Sequence, residues 1–238
     1  MLARRLTSLA TATTPAYAFG VDAKKLVVGV PKEVYPNEAR VAITPDTIQK
    51  LIKKNGINFL IEEGAGSKAS ISDQDYINAG AKIGSTKDAL SADVVLKVRP
   101  PQESEISNLK EGSTLVSFLY PGQNKELVSK IKDKNVTSFA MDQVPRITRA
   151  QTYDALSSMA NIAGYKAVIL AAENFGRFFT GQMTAAGKLP PAKILVIGGG
   201  VAGLAAIATA KSLGAIVRGF DTRPAVKEQV ESLGAEFI

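Results

Sequence analysis

The chain has 238 residues, enough for one large domain or two ordinary ones, and its 45% hydrophobic content suits a globular core. It contains no cysteine and no histidine, which excludes disulfides, thiolate nucleophiles, a histidine base or triad, and His- or Cys-type metal ligation within it. The net charge of +7 is not a nucleic-acid signature: residues 1–25 carry +3 of it, and the other +4 is spread among acids with no basic block laced with aromatics.

The first 25 residues hold Arg4, Arg5 and many hydroxyls, with no acid before Asp22. That composition is expected of a mitochondrial transit peptide; the continuous apolar stretch of a secretory signal is missing. From Leu26 the pattern alternates. Strands are expected at 26–30, 57–61, 94–98, 114–118 and 137–140, and helices at 45–54, 73–79, 87–90, 104–109 and 124–134. Thr44-Pro45-Asp46 is a helix start, with a hydroxyl cap, a proline at the first position and an acid in the first turn. Ser72 caps the next helix. Strands spaced by helices predict a parallel sheet covered on both faces.

Thr148 and Gln151 have capping-box spacing, so a long helix is expected from Arg149 towards Phe175. Between Ala155 and Ala172 only Lys166 is charged, which predicts a helix buried on most sides, lying between two domains. Gln151, Asp154, Ser157 or Ser158, and Asn161 form a polar stripe at three-to-four spacing. Buried polar groups need partners, so the stripe points either to a bound ligand or to interdomain hydrogen bonds. Residues 177–189 read as a loop, stopped by Pro190-Pro191.

An apolar strand from Lys193 then runs into Gly198-Gly199-Gly200-Val201-Ala202-Gly203 and a helix, and a second strand ends on Asp221. Gly198 permits the tight turn, Gly200 lets backbone approach a pyrophosphate, and Gly203 lets helix and strand pack closely. The helix start favours phosphate charge, and Asp221 is placed to accept hydrogen bonds from an adenosine ribose. The acid favours NAD over NADP, while Arg218 and Arg223 blur that preference. Residues 194–210, broken by glycines and bounded by Lys193 and Lys211, are too short for a membrane span, and no membrane segment is expected elsewhere. A helix at 227–233 and a strand from Ala235 follow. This is less than one βαβαβ half of a dinucleotide fold, so the sequence reads as the front portion of a longer polypeptide.

With these segments placed, the chain resembles the alanine dehydrogenase/transhydrogenase family from about Lys25 to Ile238. The resemblance rests on Pro31-Lys32-Glu33, Glu38-Ala-Arg40-Val-Ala-Ile-Thr-Pro45, Val95-Leu-Lys97-Val, Pro145-Arg146 to Ser157-Ser158, Met183-Thr-Ala-Ala-Gly187, the glycine turn and Asp221-Thr222-Arg223-Pro. Within the family it looks like the NAD(H)-binding component of proton-translocating NAD(P) transhydrogenase. The fold implied is α/β: two Rossmann-like parallel-sheet domains joined by a long buried helix, the second incomplete. The divisions are a transit peptide at 1–25, an N-terminal domain at 26–148, an interdomain helix at 149–180 and a dinucleotide domain at 181–238.

The resemblance assigns the nicotinamide end of the nucleotide to Arg146, Gln151, Asp154 and Ser157. Pyrophosphate and ribose contacts fall on Gly199, Gly200, Val201, Asp221, Thr222 and Arg223, beside Gly198 and Gly203. A Gln151 side chain spent on capping would conflict with its ligand role. The implied activity is hydride transfer from NADH to NADP held by a partner component, coupled to proton movement by a membrane component. The implied setting is a homodimer at the matrix face of the mitochondrial inner membrane. No metal and no nucleic acid are expected. Alanine dehydrogenases, the nearest alternative, bind pyruvate through residues matching Arg40 and Lys97, but their acid/base histidine has no counterpart in Phe118-Leu119-Tyr120. Arg40 and Lys97 are therefore expected to be structural or ion-pairing. A non-catalytic NAD-binding fragment is the other alternative.

Overall fold

The computed structural model describes residues 22–238, so most of the expected leader lies outside the described residues. The chain divides into two compact units, one ending at Ala140 and the other starting at Met141.

The first unit alternates β1 (Val27–Val30), α1 (Pro45–Asn55), β2 (Asn58–Glu62), α2 (Asp73–Asn78), β3 (Lys82–Gly84), α3 (Thr86–Leu90), β4 (Val94–Leu96), α4 (Glu103–Asn108), β5 (Thr114–Ser117), α5 (Lys125–Asp133) and β6 (Thr137–Ala140). All neighbours pair in parallel, in the order β3-β2-β1-β4-β5-β6. This is the doubly wound arrangement, reversing between β1 and β4. Val30, Ile48, Phe59, Ile61 and Tyr76 are buried in one core cluster, and Leu90, Val95, Ile106, Leu115 and Ile131 in another. β3 is a strand the pattern did not predict: it has three residues with one apolar side chain, Ile83. Ser72 makes the expected cap, accepting from the Asp75 amide while Asp75 accepts from Ser72. Thr44 does not, because its hydroxyl lies 3.0 Å from the Thr47 hydroxyl; Pro45, with its φ already fixed, opens α1 there.

The second unit holds a 3-10 turn (Thr148–Tyr153), α6 (Ala155–Asn174), β7 (Gln182–Thr184), β8 (Gly187–Leu189), β9 (Lys193–Ile197), α7 (Val201–Ser212), β10 (Ile216–Phe220), α8 (Lys227–Ser232) and β11 (Glu236–Phe237). β9, β10 and β11 form a parallel sheet in the order β11-β10-β9. Val168, Ile207, Ala210, Val217, Val226 and Val230 make its core.

Three expectations are corrected in this unit. The long helix begins at Ala155, not Arg149, because Asp154 is the stronger cap: its carboxylate accepts from the Ser157 amide (3.0 Å) and hydroxyl (2.6 Å). No side chain caps the 3-10 turn, so Gln151 is not spent on Thr148. Second, α6 is not buried on most sides. Only Gly164 and Val168 are buried, while Ile162 and Tyr165 are 56% and 53% exposed. The apolar composition runs around the whole helix, but one face alone meets α7. By length and composition α6 could cross a membrane, which sequence reading had not expected of any segment; its contact face on α7 marks it as a packed helix of this unit. Third, the expected loop at 177–189 contains an antiparallel hairpin, with β7 paired to β8 through Gln182–Leu189 and Thr184–Gly187.

Candidate functional site

The β9–α7 turn and the end of β10 are neighbours because the two strands run in register, Ile197 opposite Phe220. One residue further, the Gly198 amide donates to the Phe220 carbonyl at 2.7 Å, and the chain turns with Gly198 at φ +103°, a conformation that favours glycine. A Cβ at Gly203 would lie 2.8 Å from the Gly198 carbonyl carbon and closer still to its oxygen, so the helix start presses directly onto the turn. A Cβ at Gly199 would meet Val226 behind it. At Gly200 nothing lies within 4 Å of the Cβ position, and no side chain caps α7. The helix start therefore faces open space with its first amides and positive dipole end, a cradle that suits a phosphate.

Asp221 closes the other wall. Its Oδ2 accepts from the Gly199 amide (2.7 Å) and from Arg223 Nη2 (3.0 Å); its Oδ1 accepts from the Arg223 amide (2.8 Å) and Nε (2.9 Å). The Arg223 guanidinium first, then the two backbone amides, hold the carboxyl far below the usual carboxylate range. Thr222 is exposed between them. Gly199, expected among the phosphate contacts, has its amide committed to Asp221 here. Arg218, expected to blur the nucleotide preference, donates to Glu236 on β11 at 2.7 Å instead.

The other predicted residues sit at the start of α6. Arg146 and Gln151 are exposed, and Asp154 and Ser157 are half-buried and bonded to each other. The Ser157 hydroxyl and amide, with a smaller effect of Arg146, lower the Asp154 pKa. Ser157, Asn161, Gly164 and Val168 follow one another at four, three and four residues and so share a helix face. Gly164 is where that face meets α7: a Cβ there would lie 2.8 Å from the Ala202 carbonyl carbon and 3.0 Å from its Cα. Ala202 is the second residue of α7. Ser157 is thus about two turns, on the order of 10 Å of helix, from the contact beside the glycine turn. Sequence reading missed Gly164, although a glycine inside an apolar helix is itself a sign of close approach.

In the first unit Arg40 and Lys97 are ion-paired, as expected. Arg40 binds Glu38 through Nε (2.8 Å) and Nη2 (2.7 Å). The fully buried Lys97 ammonium lies 2.7 Å from Glu105 and 3.6 Å from Glu33.

Residues 29–163 match the alanine dehydrogenase/PNT N-terminal domain, and residues 167–238 match the C-terminal domain of the same family. The chain is 58% identical over 213 residues to the NAD(P) transhydrogenase subunit alpha of Haemophilus influenzae, a match spanning 90% of this chain and 41% of that protein. It is 35% identical over 201 residues to the alanine dehydrogenase of Mycolicibacterium smegmatis, spanning 82% and 53%. The solved transhydrogenase from Sinorhizobium meliloti superposes with a TM-score of 0.86 at 51% identity, covering 89% of this chain and 64% of that one. The chain spans about half the length of these curated relatives or less. Sequence, topology and both domain matches agree: the chain belongs to the alanine dehydrogenase/PNT family.

Proposed function

We propose that this chain is the NAD(H)-binding part of a proton-translocating NAD(P) transhydrogenase. The observation that carries this reading is the uncapped glycine turn at Gly200 joined to the ionised Asp221, one site suited to a pyrophosphate and its adjoining ribose. The relatives' names separate it from other dinucleotide proteins, since the transhydrogenase subunit is far more similar than alanine dehydrogenase. The amides at Gly200 and Val201 bind phosphate, with Gly198, Gly199 and Gly203 shaping the turn. Asp221 orients the ribose, flanked by Thr222 and Arg223. Arg146, Gln151, Asp154 and Ser157 hold the nicotinamide end, and the dinucleotide lies along the stretch of α6, about 10 Å long, from Ser157 to Gly164, where that helix meets Ala202.

Bound NADH supplies the hydride. Transfer between two nicotinamides needs no general base at the reacting carbons, only rings held close and aligned, which suits a chain with no histidine. NADP(H) sits on a partner component and a membrane component couples transfer to proton movement. The NAD-binding component is a homodimer, with a transit peptide at 1–25, an N-terminal domain at 26–148, a linking segment at 149–180 that carries α6, and a dinucleotide domain from 181. The leader's composition supports a mitochondrial matrix location at the inner membrane.

Calorimetry of the full chain with NADH tests the reading: a saturable heat is expected for the wild type and a large loss of affinity for Asp221→Ala. A folded wild-type chain that gives no NADH heat refutes it. NADH-linked turnover of pyruvate with ammonia would instead favour an alanine dehydrogenase.

A further inference from the structure

We propose that Arg223 sets which nucleotide this site accepts, by occupying the ribose-binding positions of Asp221 until a ligand displaces it. The proposal rests on the reading of the glycine turn as a dinucleotide site. A carboxylate offers about four acceptor positions, and those of Asp221 receive four donors: two backbone amides and two guanidinium nitrogens. A ribose diol brings two hydroxyl donors to the same acid, so two of the four must leave.

The amides cannot. Gly199 is fixed by the turn and backed by Val226, and the Arg223 amide belongs to the chain two residues from the acid itself. The guanidinium can. The Asp221 side chain is 8% exposed, whereas that of Arg223 is 64% exposed on a flexible stem, so the guanidinium can swing into water without moving the backbone. Arg218 is not among the donors on the acid; it donates to Glu236 on the neighbouring strand. Arg223 therefore acts in two ways. While closed it competes with NADH, and a site closed nine-tenths of the time binds about tenfold more weakly than an open one. Once displaced it remains tethered beside the ribose, a cation where the 2′-phosphate of NADPH would lie. The repulsion Asp221 alone would exert on that phosphate is thereby reduced.

Dissociation constants for NADH and for NADPH, measured on the full chain and on Arg223→Ala and Arg223→Lys, test this. Arg223→Ala is expected to bind NADH three- to tenfold more tightly and NADPH more weakly, so the NADPH/NADH ratio of constants rises at least threefold. Arg223→Lys keeps the charge but loses the two-pronged fit, so NADH tightens while the ratio stays near that of the wild type. Nitrogen-resolved NMR of the Arg223 Nε–H in the wild type should show its resonance move when NADH saturates the site. An unchanged ratio in folded Arg223→Ala, with normal NADH binding by the wild type, overturns the proposal alone. Failure of the wild type to bind NADH removes the nucleotide site itself, and the proposal with it.

Discussion

Gly164→Ala adds one methyl group at the point where α6 touches α7. It would stand 2.8 Å from the Ala202 carbonyl carbon, where carbon atoms in contact settle at about 3.5–4.0 Å. Nothing flexible lies in the way: the obstructing atoms are backbone in the first turn of α7. The two helices must part locally by about 1 Å. Overpacking of this kind costs about 1–3 kcal/mol, and alanine's better helix propensity returns about 1 kcal/mol. The net loss is about 0–2 kcal/mol, a fall in Tm of at most about 10 °C for a unit this size. The larger effect is expected in binding. Ala202 lies two residues from Gly200, so the displacement moves the amides proposed to bind phosphate, and NADH affinity should fall about five- to tenfold although residue 164 is no part of the proposed site. Urea unfolding with NADH titration of the same preparation measures both. Wild-type stability together with wild-type affinity would refute the claim that this contact sets the turn.

The other glycines divide cleanly. Gly203→Ala is expected to lose both fold stability and NADH binding, since its Cβ would strike the Gly198 carbonyl; Gly200→Ala meets nothing and should leave the urea midpoint unchanged while weakening NADH at least tenfold. Glu38 is held at a pKa of about 2, against an ordinary 4.5, chiefly by the Arg40 side chain and further by the Arg40 amide and Arg99. A depressed carboxylate stabilises above its unfolded pKa, so that contribution is full above about pH 4.5 and drains away as pH falls towards about 2; in Glu38→Gln, urea midpoints across that window should vary less with pH. Lys97→Met leaves Glu33 and Glu105 buried without their cation and should cost about 3–5 kcal/mol by chemical denaturation. Lys97→Met with Glu105→Gln should recover part of the loss, and a single variant as stable as the wild type would contradict the ion-pair assignment.

Most of the first unit was legible because its signals are local. Ser72 with Asp75 sets a helix start within four residues, and the apolar runs within β1, β2, β4 and β5 each announce a strand. β3 was not legible: three residues with one apolar side chain carry too little pattern, and β2 pairing defines the strand instead. The start of α6 was misplaced because two capping signals compete within seven residues. Thr148-x-x-Gln151 satisfies the spacing, but Asp154 brings a full charge to the amides of its helix, and the segment before it tightens into a 3-10 turn. The hairpin of β7 and β8 was hidden by its short, exposed strands, which have no buried face to impose alternation. Burial of α6 failed for another reason: composition reports how apolar a helix is, while cover depends on what lies beside it. At the site, the motif residues were legible one by one, but their pairing was not. That Arg223 grips Asp221 while Arg218 turns to Glu236 depends on Arg218 lying within β10 opposite β11 and on Arg223 lying in the turn beyond the strand.

The contacts behind the site share one physical device. Gly164 admits the backbone of Ala202, Gly203 admits the carbonyl of Gly198, and Gly199 admits Val226, so α6, the turn and the segment after β10 are locked at three points by missing side chains. Close approach of backbone leaves little room for rearrangement, and it fixes the positions of the first α7 amides and of Asp221 from the rear. The front is then free of steric duty. Gly200 opens onto space, and the side chain paired with Asp221 is a solvent-exposed arginine. A rigid back with a displaceable front suits the proposed function: a nucleotide bound there would find backbone donors already in place, and the group that gives way to it would be a side chain rather than the turn.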